Sequence, residues 1–544
     1  MSRVFTILLL AITLLVSCVK NNIPYPIVEL SISGVDGDGF SVGEIDYTNR
    51  VVYLDLEEQT DIKNVTINDI TTTSGAEIIG EVVGVHDMSS SPIYLTLSMY
   101  QDYDWSIEAR QDIELIFSVE GQVGEPVFES LSSTIMKATA YISTSSDLSN
   151  VTITDLKLAA DEISSYTPDY TTLKDFSQSF RSVYVTTHGR QTQWRLYINY
   201  SDITVEMSRC DLWARIAWLE AVADTSSGDD YGFRYRKTGD EDWIEVDPSL
   251  IETKSGGFTA RAEGFTPDTS YQIVAYRGDD VTDIVELTSG VESQLPNSGM
   301  EEWWQNGSPW YPYLSSEDAF WDTGNPGSTT LGSSYNLTTP STDMHSGVYA
   351  AELKSRNVLV KFAAGNLFIG EYKSVVGVSD GAIALGRPFT SHPVALKFYV
   401  KYNRGIIDKI GSTPQGVDIV SGVTPDTGII YVALGSWTAE KYGVSEKLTE
   451  ANYGTDEVPH IVVTSDLDNT IFNPSGEDVS AYGEVLFEES ITEWQEVVIP
   501  LEYVDTSLNH THIILVASAS RYGDYFTGST DSVMYLDDFE LLYE

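Results

Sequence analysis

Cysteine is nearly missing from this 544-residue chain: Cys18 and Cys210 are the only two. No disulfide framework can be built from them, so the fold must rest on hydrophobic cores. Positive charge is also scarce. Lys and Arg number 31 against 81 Asp and Glu, a net charge of -50. Nucleic acid and anionic lipid are held through Lys and Arg, and both are excluded as partners by this balance. The acidity suits neutral ligands or Ca²⁺, and it keeps an extracytoplasmic protein soluble. Long apolar runs are lacking as well. The run from Val4 to Val16 falls short of the ~20 residues needed to span a bilayer, and no later run is longer. There is no Walker loop and no Rossmann fingerprint. Helical periodicity is rare; only TTLKDFSQSF and TAEKYGVSEKL read as short helices.

What is present reads as β. Short alternating runs such as RVVYLDLEE, ATAYIST, QWRLYINY, YQIVAY, ALKFYVKY, EVVIPLEY and VMYLDDFELLYE are separated by Gly, Asp, Asn and Ser. Strands of this length and spacing predict an all-β chain of sandwiches or barrels. At ~150 residues per domain, three or four domains are expected.

Two segments repeat. DIKNVTINDI, from Asp61 to Ile70, matches DLSNVTITDL, from Asp147 to Leu156, and Trp105 and Trp194 follow at nearly the same offset. A motif recurring at fixed spacing marks tandem units. Two Ig-like sandwiches are expected, over 25–118 and 119–202, serving as a spacer. A third unit, 203–292, resembles a fibronectin type III domain through GFRYRKTGDEDWIEV and GFTPDTSYQIVAY. The resemblance makes Tyr271 a corner tyrosine that folds its hydroxyl onto the backbone. Cys210 reads as a small core residue.

At the start, Arg3, the apolar run and Leu15-Val16-Ser17-Cys18 have the build of a secretory signal. The last four residues resemble the lipobox of bacterial lipoproteins. That resemblance implies removal of residues 1–17, acylation of Cys18, a short linker over 18–24 and a membrane anchor. Val19 stands where an inner-membrane retention signal would have Asp. The expected place is therefore the outer membrane, on the cell surface or the periplasmic face.

The final segment, 293–544, opens on EEWWQNGSPWYPYLSSEDAFWDTGN. Trp303, Trp304, Trp310, Tyr311, Tyr313, Phe320 and Trp321 crowd into a stretch broken by Gly, Pro, Ser and Asn. NSGMEEW, FWDTGNPG, HSGVYAAELKS, FAAGNLFIGEY, ALKFYVKY, WQEVVIPLEY, ASASRYGDYFTGS and VMYLDDFELLYE then follow in order. Together they resemble the bacterial PCMD family, a carbohydrate metabolism domain carried on lipoproteins of glycan-using Gram-negative bacteria. The frame also resembles carbohydrate-binding jelly rolls, with Met300 at a position where those usually have an aromatic. In similar jelly rolls the first and last strands meet and their acids hold a structural Ca²⁺. Carried over, that implies Glu301 and Asp537 as ligands; the alternative is an Asp capped by backbone amides. Alternation places Tyr535, Asp537, Phe539 and Leu541 on one strand face.

Neutral sugars offer C–H faces to flat rings and hydroxyls to carboxylates and amides. Trp310, Tyr311, Tyr313 and Trp321 are therefore candidate stacking rings, while Trp303 and Phe320 read as core. Asp322, Asn325, Asn366, Glu371, Tyr522, Asp524 and Tyr525 lie in turn-rich segments that display ligand groups. The expected partner is a neutral oligo- or polysaccharide, with other glycan-uptake proteins alongside. The expected role is glycan capture without catalysis; a glycan-active enzyme and a structural adhesin or stalk are the alternatives. Hydrolysis needs two carboxyls ~5–9.5 Å apart. Asp322 pairs with Glu371 or Asp524 only if the fold joins them. His510 and His512 could share a strand face, but zinc needs further ligands; a solvated strand start is the plainer reading.

Overall fold

The structure, a computed structural model, describes residues 30–544 except 48, 227, 359–360, 377–379, 414–416, 438–460, 465–471, 473 and 475. The leader, Cys18 and TAEKYGVSEKL lie outside the described residues. The protein is all-β, and its strands form stacked sheets. TTLKDFSQSF does not form the expected helix. Only a single 3₁₀ turn forms there, Tyr170–Thr172, capped by Asp169; Ser, Thr and Asp favour such turns over helix interiors.

Contacts divide the chain into two compact units. The first takes residues up to Ile116 with Lys157–Thr167 and Tyr184–Thr192; the second takes the rest. In the first unit a five-stranded sheet runs Phe40–Asp46, Val51–Leu56, Asp102–Gln111, Ile93–Ser98, Glu77–Ile79. It faces a three-stranded sheet, Ile32–Asp38, Val65–Thr72, Gly84–His86. Between them lies a core that includes Val52, Leu54, Ile67, Leu97 and Trp105.

The other copy of the repeat is divided, with Lys157–Thr167 and Tyr184–Thr192 in the first unit and its remainder in the second. Val51–Leu56 runs parallel to Ser106–Gln111, and in the second copy Ile135–Ser143 runs parallel to Gln193–Ser201. Each copy's tryptophan meets a ring edge-on. Tyr47 and Trp105 are 6.1 Å apart at 84°, and so are Phe128 and Trp194. The repeated Asp serves both copies alike: Asp61 accepts the backbone N–H of Lys63, and Asp147 that of Ser149.

Residues 205–288 form a four-stranded and a five-stranded sheet. The Tyr271 hydroxyl accepts the N–H of Thr266 at 2.8 Å, the expected corner. Cys210 packs against this core, and burial pushes its thiol up to about 12. Trp213 then leaves the sandwich. Its indole donates to the Thr506 carbonyl at 3.1 Å, and its ring lies on His392 and Tyr503 at 5.2 and 4.6 Å. Arg209 donates to Asp505 at 2.5 Å, and Thr506 to Asp211 at 2.9 Å.

The last sandwich packs two large sheets. The nine-stranded sheet runs Ile461–Thr464, Asp380–Leu385, Asn366–Val376, His512–Ser518, Gly428–Gly435, Val479–Phe487, Glu502–Tyr503. Trp321–Asp322 pairs with Asn366–Val376, and Arg387–Pro388 with His512–Ser518. The five-stranded sheet runs Thr338–Ser341, Ala350–Lys354, Val533–Leu542, Ala395–Asn403, Ile491–Pro500. Trp321, Leu367, Phe398, Val432, Leu515, Leu536 and Phe539 fill the space between them. His512–Ser518 is apolar on both sides because a second cluster covers the outer face of its sheet, with Phe368, Ala433, Trp437 and Ile514 at its centre and Tyr372, Tyr431 and Tyr482 packed on it. A strand buried on both faces loses its alternation.

Excess acid is put to local use. At Asp87, Asp147, Asp169, Asp175, Asp224, Asp247 and Asp505 one carboxylate oxygen accepts both the backbone N–H and the hydroxyl of the Ser or Thr two residues on. Such Asx turns close loops between strands.

Candidate functional site

The aromatic segment folds into a small hairpin. Trp304 pairs with Tyr311 and Gln305 with Trp310, around a turn in which Gly307 takes φ +71°. Three asparagines pin it. The side chain of Asn297 accepts the N–H of Glu301 and Glu302 and donates to the carbonyls of Glu302 and Pro312. Asn336 accepts the Trp310 N–H at 2.9 Å and donates to Ser308. Asn325 donates to the carbonyls of Trp310 and Thr338 and accepts from Leu337 and Thr338. Every hydrogen-bonding position of that 0 % exposed amide is used. Asn325, expected to meet a ligand, is instead a backbone staple.

Trp321 is a second correction. It is 1 % exposed, donates to the Pro296 carbonyl at 2.7 Å and packs on Phe539. Its strand pairs with Phe368 and Ile369, which turns the indole into the core rather than outward. Trp303 and Phe320 pack against the same core, as expected. The rings that remain are half-buried Trp304, Trp310 and Tyr311 together with Tyr313, 8 % exposed. Trp304, Tyr311 and Tyr313 form one group with centroids 5.2 to 6.2 Å apart.

Beside them stands Asp322, 4 % exposed. Its carboxylate accepts the N–H of Thr323 and of Tyr372, each at 2.8 Å. Burial nevertheless pushes it up to about 7; Glu371 adds to the rise and Arg387 opposes it. Burial also raises Tyr311 and Tyr313, and Asp322 adds to both. Glu371 pairs with Lys373 at 2.8 Å. Arg387 donates to the Gly370 carbonyl, and its buried Nε has no partner among the described residues. Gly327 is required here, since a Cβ on it would stand 2.4 Å from the Tyr372 hydroxyl. The fold thus puts Asp322 within electrostatic reach of Glu371, two carboxyls in different environments.

Tyr522, Asp524 and Tyr525 form a separate group on the 3₁₀ turn Gly523–Tyr525. Asp524 reaches solvent, yet the protein crowded around it raises its carboxyl, as in a recess. It adds to the raised Tyr525 and Tyr431. Tyr482 stands beside Tyr431 at 6.2 Å and donates to Glu484 at 2.7 Å. Asn366 lies between the groups: it pairs with Ser518, and its Oδ1 accepts the Gly324 N–H. Tyr431, Tyr482, Glu484, Arg387 and Asn336 escaped the sequence reading. Only Tyr431 left a signal, as a lone ring alternating with Ala433 and Gly435.

Glu301 and Asp537 do not present a cation site. Glu301 accepts the N–H groups of Val348 and Tyr349. Asp537, 0 % exposed, accepts those of His345, Ser346 and Asp538. These lone pairs face amide donors, the capping alternative, and this set does not fit Ca²⁺. Among the described residues no group of three or more His, Cys, Asp or Glu could hold a metal. The expected alternation of the last strand also fails. Met534 and Leu536 face the core, a bulge with Asp538 at φ +49° intervenes, and Phe539 and Leu541 continue inward, leaving Tyr535 on the outer face. His510 and His512 are buried rather than solvated; His510 hydrogen-bonds the Ser391 carbonyl, and burial lowers it to about 4.

Residues 299–542 match the family described as "Putative carbohydrate metabolism domain". No curated protein matches the chain. Among solved structures the chain is similar to a "putative glycoside hydrolase" from Bacteroides thetaiotaomicron, at 14 % identity over 96 % of this chain and 98 % of that one, TM-score 0.29. It is similar to another so described from Bacteroides vulgatus, at 19 % identity over 47 % and 100 %, TM-score 0.32. A third is SGBP-B from a complex xyloglucan utilization locus in Bacteroides uniformis, at 10 % identity over 79 % and 99 %, TM-score 0.17.

Proposed function

We propose that this protein is a cell-envelope lipoprotein that captures an uncharged glycan on its C-terminal sandwich. The observation that carries the reading is the group of Trp304, Tyr311 and Tyr313 beside Asp322 and Glu371. Flat rings take the C–H faces of a sugar, and the exposed carboxylate of Glu371 beside them takes its hydroxyls. The Asp524 turn, with Tyr431, Tyr522 and Tyr525, extends the same kind of surface. The family match over 299–542 supports a carbohydrate ligand. In this reading the preceding sandwiches are a stalk, acylated Cys18 is the anchor in the outer membrane, and glycan-uptake proteins are neighbours.

Native affinity electrophoresis in gels cast with neutral soluble polysaccharides tests the ligand. Retardation of the full chain, weakened in Tyr311→Ala, is expected; equal mobility in every gel would overturn the reading. Cys18→Ser tests the anchor, with release of the protein from membranes as the expected result.

One observation favours a second reading, a glycan-active enzyme. Asp322, raised to about 7 and close to Glu371, has the character of a general acid beside a second carboxyl. New reducing ends after long incubation with a bound polysaccharide, absent in Glu371→Gln, would establish it.

A further inference from the structure

The five-stranded sheet of the last sandwich carries rings on the face turned away from the core. One row crosses four of the five strands in register, and the edge strand meets it at a bulge. Thr339 lies opposite Glu352, Glu352 opposite Tyr535, and Tyr535 opposite Lys401. Trp494 on the edge strand completes it, with the Lys401 ammonium 5.7 Å from its ring and 5.9 Å from that of Tyr535. Trp494 and Tyr535 therefore stand two strands apart, ~10 Å at the usual strand spacing. The apolar stem of Lys401 floors the gap between them.

Polar groups hold the rings upright. Tyr535 donates to Glu352 at 3.3 Å. On the next row Tyr399 donates to Glu496 at 2.6 Å, and His345 stacks on Tyr399 at 3.5 Å. The Trp494 indole N–H has no acceptor among the described residues. All three rings and Lys401 are half-buried.

Charge decides the kind of ligand. Lys401 is paired with Asp343 at 2.6 Å and Lys397 with Glu540, which leaves Lys354 as the one lysine of these strands without an ion pair among the described residues, against the acids Glu352 and Glu496. The Lys401 ammonium beside both rings repels a cationic ligand. What remains is two ring surfaces, an apolar floor and carboxylates able to accept hydroxyls. We infer that this face is a second platform for an uncharged polysaccharide, with Trp494 and Tyr535 as its stacking rings and Glu352 and Glu496 as hydroxyl acceptors. Two rings at that separation meet alternate residues of an extended chain. The inference takes its class of ligand from the reading above, while its site is independent of Tyr311.

The test is affinity electrophoresis of the full chain in gels containing soluble xylan, mannan or β-glucan. Trp494→Ala should weaken retardation about tenfold, the scale of one lost ring contact, with Tyr311 intact. Trp494→Phe, which keeps a ring, should restore most of it, and Tyr535→Ala should act like Trp494→Ala. Thermal unfolding of each variant separates loss of a contact from loss of the fold. Trp494→Ala and Tyr535→Ala retarded like wild type, with Tyr311→Ala defective, would overturn this inference and leave the first site standing. The opposite pattern would support this platform and overturn the first. No retardation of wild type in any gel would overturn both.

Discussion

The indole N–H of Trp321 donates to the carbonyl oxygen of Pro296 at 2.7 Å, tying the ring to the segment that enters the sandwich. Tyr311, ten residues earlier, is half-buried and packs against Trp304 and Tyr313. Two rings of one cluster thus have separate duties, and mutation should separate them. Trp321→Ala should cost about 3–5 kcal/mol of stability. Tyr311→Ala should shift the urea midpoint far less while weakening retardation by polysaccharide. Equal loss of stability in both would place Tyr311 in the core.

The hairpin depends on a buried amide. In Asn325→Asp an oxygen replaces the N–H₂ that serves the carbonyls of Trp310 and Thr338. Two buried acceptors lose their donor, at a cost of about 3 kcal/mol or more. Urea denaturation gives the size. Near-ultraviolet circular dichroism should show the hairpin rings losing their fixed environment.

Stability should respond to pH in two opposed ways. Asp322 has a folded pKa of about 7, above the ordinary ~3.9. The folded chain holds this proton where the unfolded chain has lost it, so the contribution is full below pH ~4 and is lost as pH rises through about 7. The turn aspartates Asp87, Asp147, Asp169, Asp175, Asp247 and Asp505 are lowered by bonds from their Ser or Thr partners. Their contribution is present above pH ~4 and is lost as pH falls below it. Urea midpoints from pH 3 to 8 should therefore pass through a maximum. Asp322→Asn should flatten only the neutral side.

Trp213 joins the sandwich of residues 205–288 to the one that follows, through His392, Tyr503 and Thr506. Large aromatic contacts of this kind couple domains. Calorimetry of Trp213→Ala should resolve two transitions where wild type gives one for this pair. An unchanged thermogram would show that the ring is a passive filler.

How much of this was legible beforehand follows from the range of the forces involved. Alternating runs and Asx turns are local, so the all-β class and the turn chemistry could be read directly. The tandem copies were legible because the same strand and the same tryptophan recur at one spacing. Asn325 was misread because an amide in a turn looks alike whether it meets a sugar or four backbone groups. The last strand was misread because a bulge at Asp537 and Asp538 shifts every side chain beyond it.

By itself, then, the order of residues determined the β class, the recurrence of one motif, the acidic composition and the placing of aromatics in the final segment. These depend on period, composition and neighbours a few positions away. Only the tertiary structure decided which rings are core and which stay half-open, that Asp322 lies within electrostatic reach of Glu371, that Glu301 and Asp537 hold amides, and that Trp494 and Tyr535 share a face. Each of those facts depends on strands far apart in sequence lying 4.8 Å or so apart in a sheet, and no local pattern encodes that pairing.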